Sequence, residues 1–222
     1  MRTALLALAV CLAGCASPGA HLRGVEGPDL VVQLRSATLP GALQPVACHC
    51  FWVTYDPAKN EWHRWEVLQE PHQCETSWGY VHFDAFRPDT TVGGGPVRVE
   101  REWRGDDARR LAAALATSPS YPARDVYRAW PGPNSNTFAA WVLRQSGVSA
   151  EMPPTAVGKD YVPAVAAGRT TSGTGVQFET LPLGAKVGLK EGVEANVLGM
   201  TIGVSLWPPA IKLPFGRIGP RN

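Results

Sequence analysis

A polar run, Asn134-Ser135-Asn136-Thr137, follows Trp130-Pro131-Gly132-Pro133, whose two prolines and glycine are expected to hold the chain extended, and precedes the apolar stretch Phe138-Ala139-Ala140-Trp141-Val142-Leu143. Its place at the start of a helical pattern permits two uses. The first turn of a helix has unpaired backbone N–H groups and the positive end of the helix dipole, so it attracts a capping oxygen and equally a developing anion. As a cap, Asn134 or Ser135 would contribute about 1 kcal/mol. As a nucleophile, Ser135 would need a general base within hydrogen-bond reach, because a hydroxyl is not ionised at neutral pH. His49 is the candidate base, and Asn134, Asn136 and Thr137 are the candidate binding residues around the hydroxyl. Both uses of the run stay open at the level of sequence.

His49 lies within Cys48-His49-Cys50, inside the aromatic and β-branched run Val46 to Tyr55. Side chains alternate along a strand, so His49 shares a face with Phe51, Val53 and Tyr55 while Cys48, Cys50 and Trp52 point the other way. That divergence opposes a metal held jointly by Cys48, His49 and Cys50, since tetrahedral ligands must converge. A wider set, Cys48 and Cys50 with His72 and Cys74, has the residue types but sits in a chain expected in an oxidising compartment. No metal and no cofactor is therefore expected, and the expected fate of the thiols is one bridge from Cys74 to Cys48 or Cys50. A plain structural role for His49, as a core histidine satisfied by a backbone carbonyl, competes with the catalytic one. A third group to orient it is not singled out: His63, His72, His82 and Asp84 are all candidates.

The elements that must position these residues follow from pattern. Leu30–Leu34 reads as a first strand, and 46–55 with 61–68 as a β-hairpin around the turn Asp56-Pro57-Ala58-Lys59-Asn60. Residues 97–103 alternate as a strand, and Gly105-Asp106-Asp107 is expected to cap a helix running from about 107 to 117. A second helix is expected from Ser135 to about Gln145, with Phe138, Trp141 and Val142 on one face and Gly147 closing it. Beyond Val176 the texture changes to short, glycine-broken strands. The tryptophans, Trp52, Trp62, Trp65, Trp78 and Trp103 among them, read as core and sheet-face residues. Trp207, Ile211, Leu213 and Phe215 are expected to lie on a covered sheet face rather than on a membrane surface. The organisation is a signal segment at 1–14, a tether at 15–30, an α+β domain at 31–165 and a glycine-rich β extension at 166–222.

The signal reading rests on Arg2, the short apolar run Ala4–Ala13 and Leu12-Ala13-Gly14-Cys15. The tetrapeptide resembles a bacterial lipobox, which implies cleavage before Cys15 and acylation of that cysteine. Ala16 in the place of an aspartate implies, by the bacterial sorting rule, an outer-membrane lipoprotein facing the periplasm. The membrane, reached through the lipid, is then the first expected partner. Loss of Arg2 takes the 21 basic residues to about 20 against 19 acidic ones, nearly in balance, and no basic stripe points to nucleic acid.

Trp130 to Phe138, together with Pro153-Pro154-Thr155-Ala156-Val157-Gly158-Lys159-Asp160-Tyr161, resembles the signature of an uncharacterised bacterial family, the domain of unknown function numbered 3750, over roughly 30–220. That family carries no established activity. More distantly, His49 on an early strand and Asn134-Ser135-Asn136-Thr137-Phe138 at a later helix start resemble circularly permuted papain-like proteins of the NlpC and lecithin:retinol acyltransferase types. Those proteins have a cysteine where Ser135 stands. The resemblance implies a permuted papain-like sheet with a helix packed on it. It further implies a Ser135 and His49 hydrolase or acyltransferase acting on an amide or acyl ligand of the cell envelope. The alternative is a non-catalytic, lipid-anchored binding or scaffolding module.

Overall fold

A computed structural model describes residues 29–162, 165–180 and 183–220. The expected signal segment, Cys15 and the tether up to residue 28 lie outside the described residues. The chain is mixed helix and sheet. Six strands, β1 (Val31–Thr38), β2 (Cys48–Asp56), β3 (Glu61–Val67), β4 (Ser77–Trp78), β5 (Val81–Phe83) and β6 (Val97–Trp103), form one antiparallel sheet in the order β4-β5-β3-β2-β1-β6. The β2–β3 hairpin closes through Asp56, whose Oδ1 accepts from Ala58 N at 2.9 Å. Asn60 takes the positive φ of 57° that a tight turn requires.

Two helices, α1 (Gly105–Ala116) and α2 (Ser135–Ser146), pack on one face of this sheet. Asp106 and Asp107 do not cap α1; Arg104 is its N-cap, without a side-chain bond. The two carboxylates sit inside the first turn, where the helix dipole favours them, and pair with Arg109 and Arg110. Leu34, Cys50 and Trp52 from the sheet meet Leu111, Phe138 and Val142 from the helices, and all six are fully buried. Burying a side chain such as Phe138 stabilises by about 2–3 kcal/mol. On the opposite face Phe51 and Val53 share the sheet with Arg35, Arg64 and Glu66, and the loop after β5 covers them. Arg35 donates to Pro88 O, and Arg64 donates to Arg87 O and Thr90 O.

The second sheet is a seven-stranded antiparallel meander: β7 (Ala166–Arg169), β8 (Gly175–Glu179), β9 (Leu183–Gly188), β10 (Gly192–Val197), β11 (Met200–Leu206), β12 (Pro209–Leu213) and β13 (Gly216–Ile218). Its alternation is inverted. Glu179, Lys186, Glu194, Asn196, Thr201 and Lys212 point inward and are buried, while Val187, Val193, Ile202 and Val204 point outward and are exposed. The expectation of a covered apolar face is corrected: Trp207, Ile211 and Phe215 lie exposed, Trp207 at 81%. Polar residues occupy the inner face because charges from the preceding segment meet them there. Lys186 pairs with Asp160; Lys212 pairs with Glu151 and Glu194; Arg217 reaches Glu151 at 3.1 Å. Among the described residues no helix is long and apolar enough to cross a membrane.

Candidate active site

The start of α2 is built by two sequence motifs that fold onto each other. Asn134 is the N-cap: its Oδ1 accepts from Asn136 N at 3.0 Å and Thr137 N at 3.2 Å, and Thr137 Oγ1 accepts from Asn134 N at 3.1 Å, completing a capping box. Asn134 Nδ2 donates to Ala129 O and Val157 O, and Thr137 Oγ1 donates to Gly158 O at 2.7 Å. Gly158 has φ +91°, and a Cβ there would collide with the Asn134 side chain. The preceding Trp130–Pro133 stretch is not extended. Its Trp130-Pro131 and Gly132-Pro133 bonds are cis, and Arg128 N–H donates to Pro133 O at 2.8 Å across the loop.

Asn136 anchors this helix start to the sheet. The β2–β3 ladder runs from Trp52 and Trp65 outward to Asp56 and Glu61, leaving the other end of β2 without β3 beside it. There Asn136 Oδ1 accepts from Cys50 N at 2.9 Å, and its Nδ2 donates to Cys48 O at 2.9 Å and Val157 O at 2.8 Å. Thr155 O accepts from Cys48 N at 3.0 Å. The amide of one side chain thus takes the place of a neighbouring strand on both sides of His49. Asn134, Asn136 and Thr137 all have their polar atoms engaged within the protein. They build the site rather than offer groups to a ligand.

Ser135, adjacent to both asparagines, is 6% exposed and makes no side-chain hydrogen bond among the described residues. Capping therefore does not consume its hydroxyl. His49 and Ser135 both line a cavity of about 400 Å³, whose walls include Leu39, Leu43, Val46, Tyr127, Trp130 and Val157. Leu198 and Met200, at the turn between β10 and β11, complete it, and Trp130 Nε1 donates to Leu198 O at 2.8 Å.

The partner of His49 is one that sequence reasoning missed. His49 Nε2 lies 2.8 Å from Glu66 Oε2, and both groups are buried. Glu66 is held by Arg64: Nη2 donates to Oε2 at 2.7 Å, and Nε lies 2.7 Å from Oε1 as a close ion contact without hydrogen-bond alignment. Burial by itself would raise the Glu66 carboxyl. The Arg64 guanidinium and the His49 contact together outweigh it and hold the group below its ordinary value. An ionised carboxylate only accepts, so the His49 Nε2 carries a hydrogen. In the neutral ring the lone pair is then on Nδ1, which has no partner among the described residues. The alternation of E-W-H-R-W-E could have placed Glu66 on the His49 face. What it lacked was any sign that this buried position held a carboxylate facing an imidazole.

The model of a family of proteins of unknown function, DUF3750, matches residues 29–161. This chain belongs to the DUF3750 family. The matched part contains the first sheet, both helices and both motifs, whereas the second sheet lies beyond it, short of the extent to about 220 that the resemblance implied. No curated protein and no solved structure matches the chain.

The remaining candidates of this DUF3750 protein lie elsewhere. His63 Nδ1 is 2.6 Å from Asp84 Oδ2 on the outer part of the hairpin, and His82 lies between Ser77 Oγ and Glu70 O. Among the described residues none of these, nor His72, hydrogen-bonds His49, although register sets His82 beside Glu66. The expected bridge is absent. Cys48 and Cys50 have Sγ atoms 3.8 Å apart in the helix-facing core, and Cys74 lies 3.2 Å from Ser77 Oγ, so all three thiols are free. The set of Cys48, Cys50, His72 and Cys74 does not assemble, and no three potential ligands converge among the described residues.

Proposed function

We propose that this DUF3750 protein is a lipid-anchored enzyme of the bacterial envelope, a hydrolase or acyltransferase with Ser135 as nucleophile and His49 as base. Its first sheet and α2 would constitute a permuted papain-like core. One observation carries this reading: an uncommitted hydroxyl at a helix start shares a largely apolar cavity with an imidazole whose other nitrogen is held by a buried carboxylate. In the reaction, Ser135 Oγ bonds to the carbonyl carbon of an amide or ester while its proton passes to His49 Nδ1. The carbonyl oxygen becomes an oxyanion facing the Ser135 N–H, the amide of the helix start that the capping box does not engage. Collapse of the adduct breaks the bond to the amine or alcohol, which leaves with the proton from His49. Water or a second acceptor then takes the acyl group from Ser135 by the reverse sequence. Glu66 keeps His49 in the tautomer that can do this; proton transfer by such a base contributes roughly 10²–10⁴-fold. The apolar walls favour an acyl group over a charged peptide.

A fluorophosphonate probe tests the nucleophile. The wild-type protein should label at Ser135, Ser135→Ala should not label, and His49→Gln should label at least about 100-fold more slowly. Absence of labelling in the wild type, or equal labelling in Ser135→Ala, would reduce the protein to a non-catalytic binding or scaffolding module. The anchor has a separate test. Metabolic labelling with an alkyne fatty acid should tag the wild type and not Cys15→Ser, and an untagged wild type refutes the lipoprotein reading.

A further inference from the structure

The second sheet is inverted, and its outer face has no place in the chemistry above. Across six adjacent strands, register aligns Val176, Val187, Val193, Val204, Ile211 and Ile218 in a single row. A parallel row carries Phe178, Ala185, Ala195 and Ile202. All the valines, both end isoleucines, Phe178 and Ile202 are exposed. From β8 to β13 no outward position on these strands carries a charge. At one end, the hairpin tips present Leu189, Leu206 and Trp207, each more than three-quarters exposed. The sheet cannot hide this face by turning over, because its other face is fixed by the Lys186–Asp160 and Lys212–Glu151 ion pairs.

We infer that this face is a membrane-docking surface, and that it takes the interfacial region of a phospholipid bilayer. Three arguments select that occupant. A protein partner is recognised with about one hydrogen bond per 100–200 Å², and from β8 to β13 these rows offer no side-chain donor or acceptor, the cation in register with them being Arg169 on the edge strand β7. A second copy seated face to face would meet the same rows, with no polar or charged side chain from β8 to β13 to set its register. A bilayer needs neither polar matching nor a large area when a lipid already holds the protein close. Residues 16–28 can extend roughly 45 Å, enough to lay a face of the domain on the membrane that holds Cys15. This last argument rests on the lipid-anchored reading; the first two do not. The face also runs into the candidate site, since Met200 lies at its edge opposite Val197 and lines the His49 and Ser135 cavity. Docking would therefore bring the cavity to the lipid.

The test uses the mature chain from residue 15 with Cys15→Ser, which has no acyl group, and flotation with vesicles of phosphatidylethanolamine and phosphatidylglycerol. This chain should float with the vesicles and remain bound in high salt. The triple variant Val187→Thr, Val193→Thr, Val204→Thr should bind at least about tenfold more weakly. A tip variant, Leu206→Ser with Trp207→Ser, should weaken binding without touching the sheet centre, and it serves if the triple variant fails to fold. Val99→Thr, on the first sheet, should bind as the parent does. Failure of the parent chain to float, loss in high salt, or equal flotation of both face variants would overturn the proposal. So would a dimer in sedimentation that the same variants dissociate, which would assign the face to a second copy. Ser135→Ala should float unchanged, so failure of the catalytic reading and failure of this one are distinguishable.

Discussion

At the scale of single residues, the deciding group is Glu66. It is fully buried and charged, and it survives there because Arg64 and His49 both satisfy it. Arg64 is itself fully buried, with its guanidinium 3.7 Å from the centre of the Phe51 ring. Removing one partner of such a pair costs far more than the pair contributes, since the other charge is left without water or counter-charge. Glu66→Gln should lower stability by about 3 kcal/mol, read as a shift of the urea midpoint with an unchanged slope. It should also slow fluorophosphonate labelling of the protein that remains folded, because the amide no longer fixes which nitrogen of His49 carries the hydrogen. Unchanged labelling would mean that Glu66 supports the sheet alone. His49 was legible in the sequence as a candidate on the right face of its strand. Its partner was not, because partnership across β2 and β3 depends on side-chain reach that alternation does not specify.

At the scale of elements, the polar run at Asn134–Thr137 and the Pro153–Tyr161 motif are one device. Asn136 extends the sheet by a side-chain amide, and Asn134 with Thr137 ties the helix start to Val157 and Gly158. Asn136→Ala would leave Cys50 N–H, Cys48 O and Val157 O without that partner in a buried place. A loss of about 2–4 kcal/mol is expected, measured by thermal or urea unfolding. Gly158→Ala should destabilise for a different reason, strain at a positive φ together with collision against Asn134. A double-mutant cycle of Gly158→Ala with Asn134→Ala should recover part of that loss; simple additivity would show that the collision is not the cause. The helix boundaries were readable because apolar spacing and Gly147 mark them. The joint between the two motifs was not, since its members are about twenty residues apart and meet only through backbone carbonyls.

At the scale of the whole molecule, the two sheets are joined by ions rather than by oil. Lys159 bonds Asp160 and Thr201, Asp160 pairs with Lys186, and Thr201 continues through Asn196 to Glu179. Burial first, and then the Asp160 charge, push the Glu179 carboxyl up to about 7, against the pull of Lys186. A carboxyl raised in this way resists ionising when folded. Its contribution to stability is full below its unfolded value near 4.5 and is lost as the pH rises through about 7. The protein should therefore lose on the order of 1–3 kcal/mol between about pH 5 and pH 8 from this group. Glu179→Gln, which can still accept from Asn196, should flatten that slope and be the more stable form at the alkaline end. Melting temperatures of both proteins across that range provide the check. A slope identical in the two would place the titration elsewhere.

The sequence by itself determined the elements that local pattern governs: the β2–β3 hairpin, the strand at 97–103, the α2 helix with its glycine stop, and the strand-rich end. Periodicity and turn chemistry act over a few residues, so they can be read along the chain. Tertiary structure alone decided three matters. It assigned the cap to Asn134 and left Ser135 free, it brought Glu66 to His49, and it turned the second sheet's apolar face outward. Alternation states that two faces differ, but which one is buried depends on what the rest of the molecule presents. Here Asp160 and Glu151 present charge, so the lysines went inward.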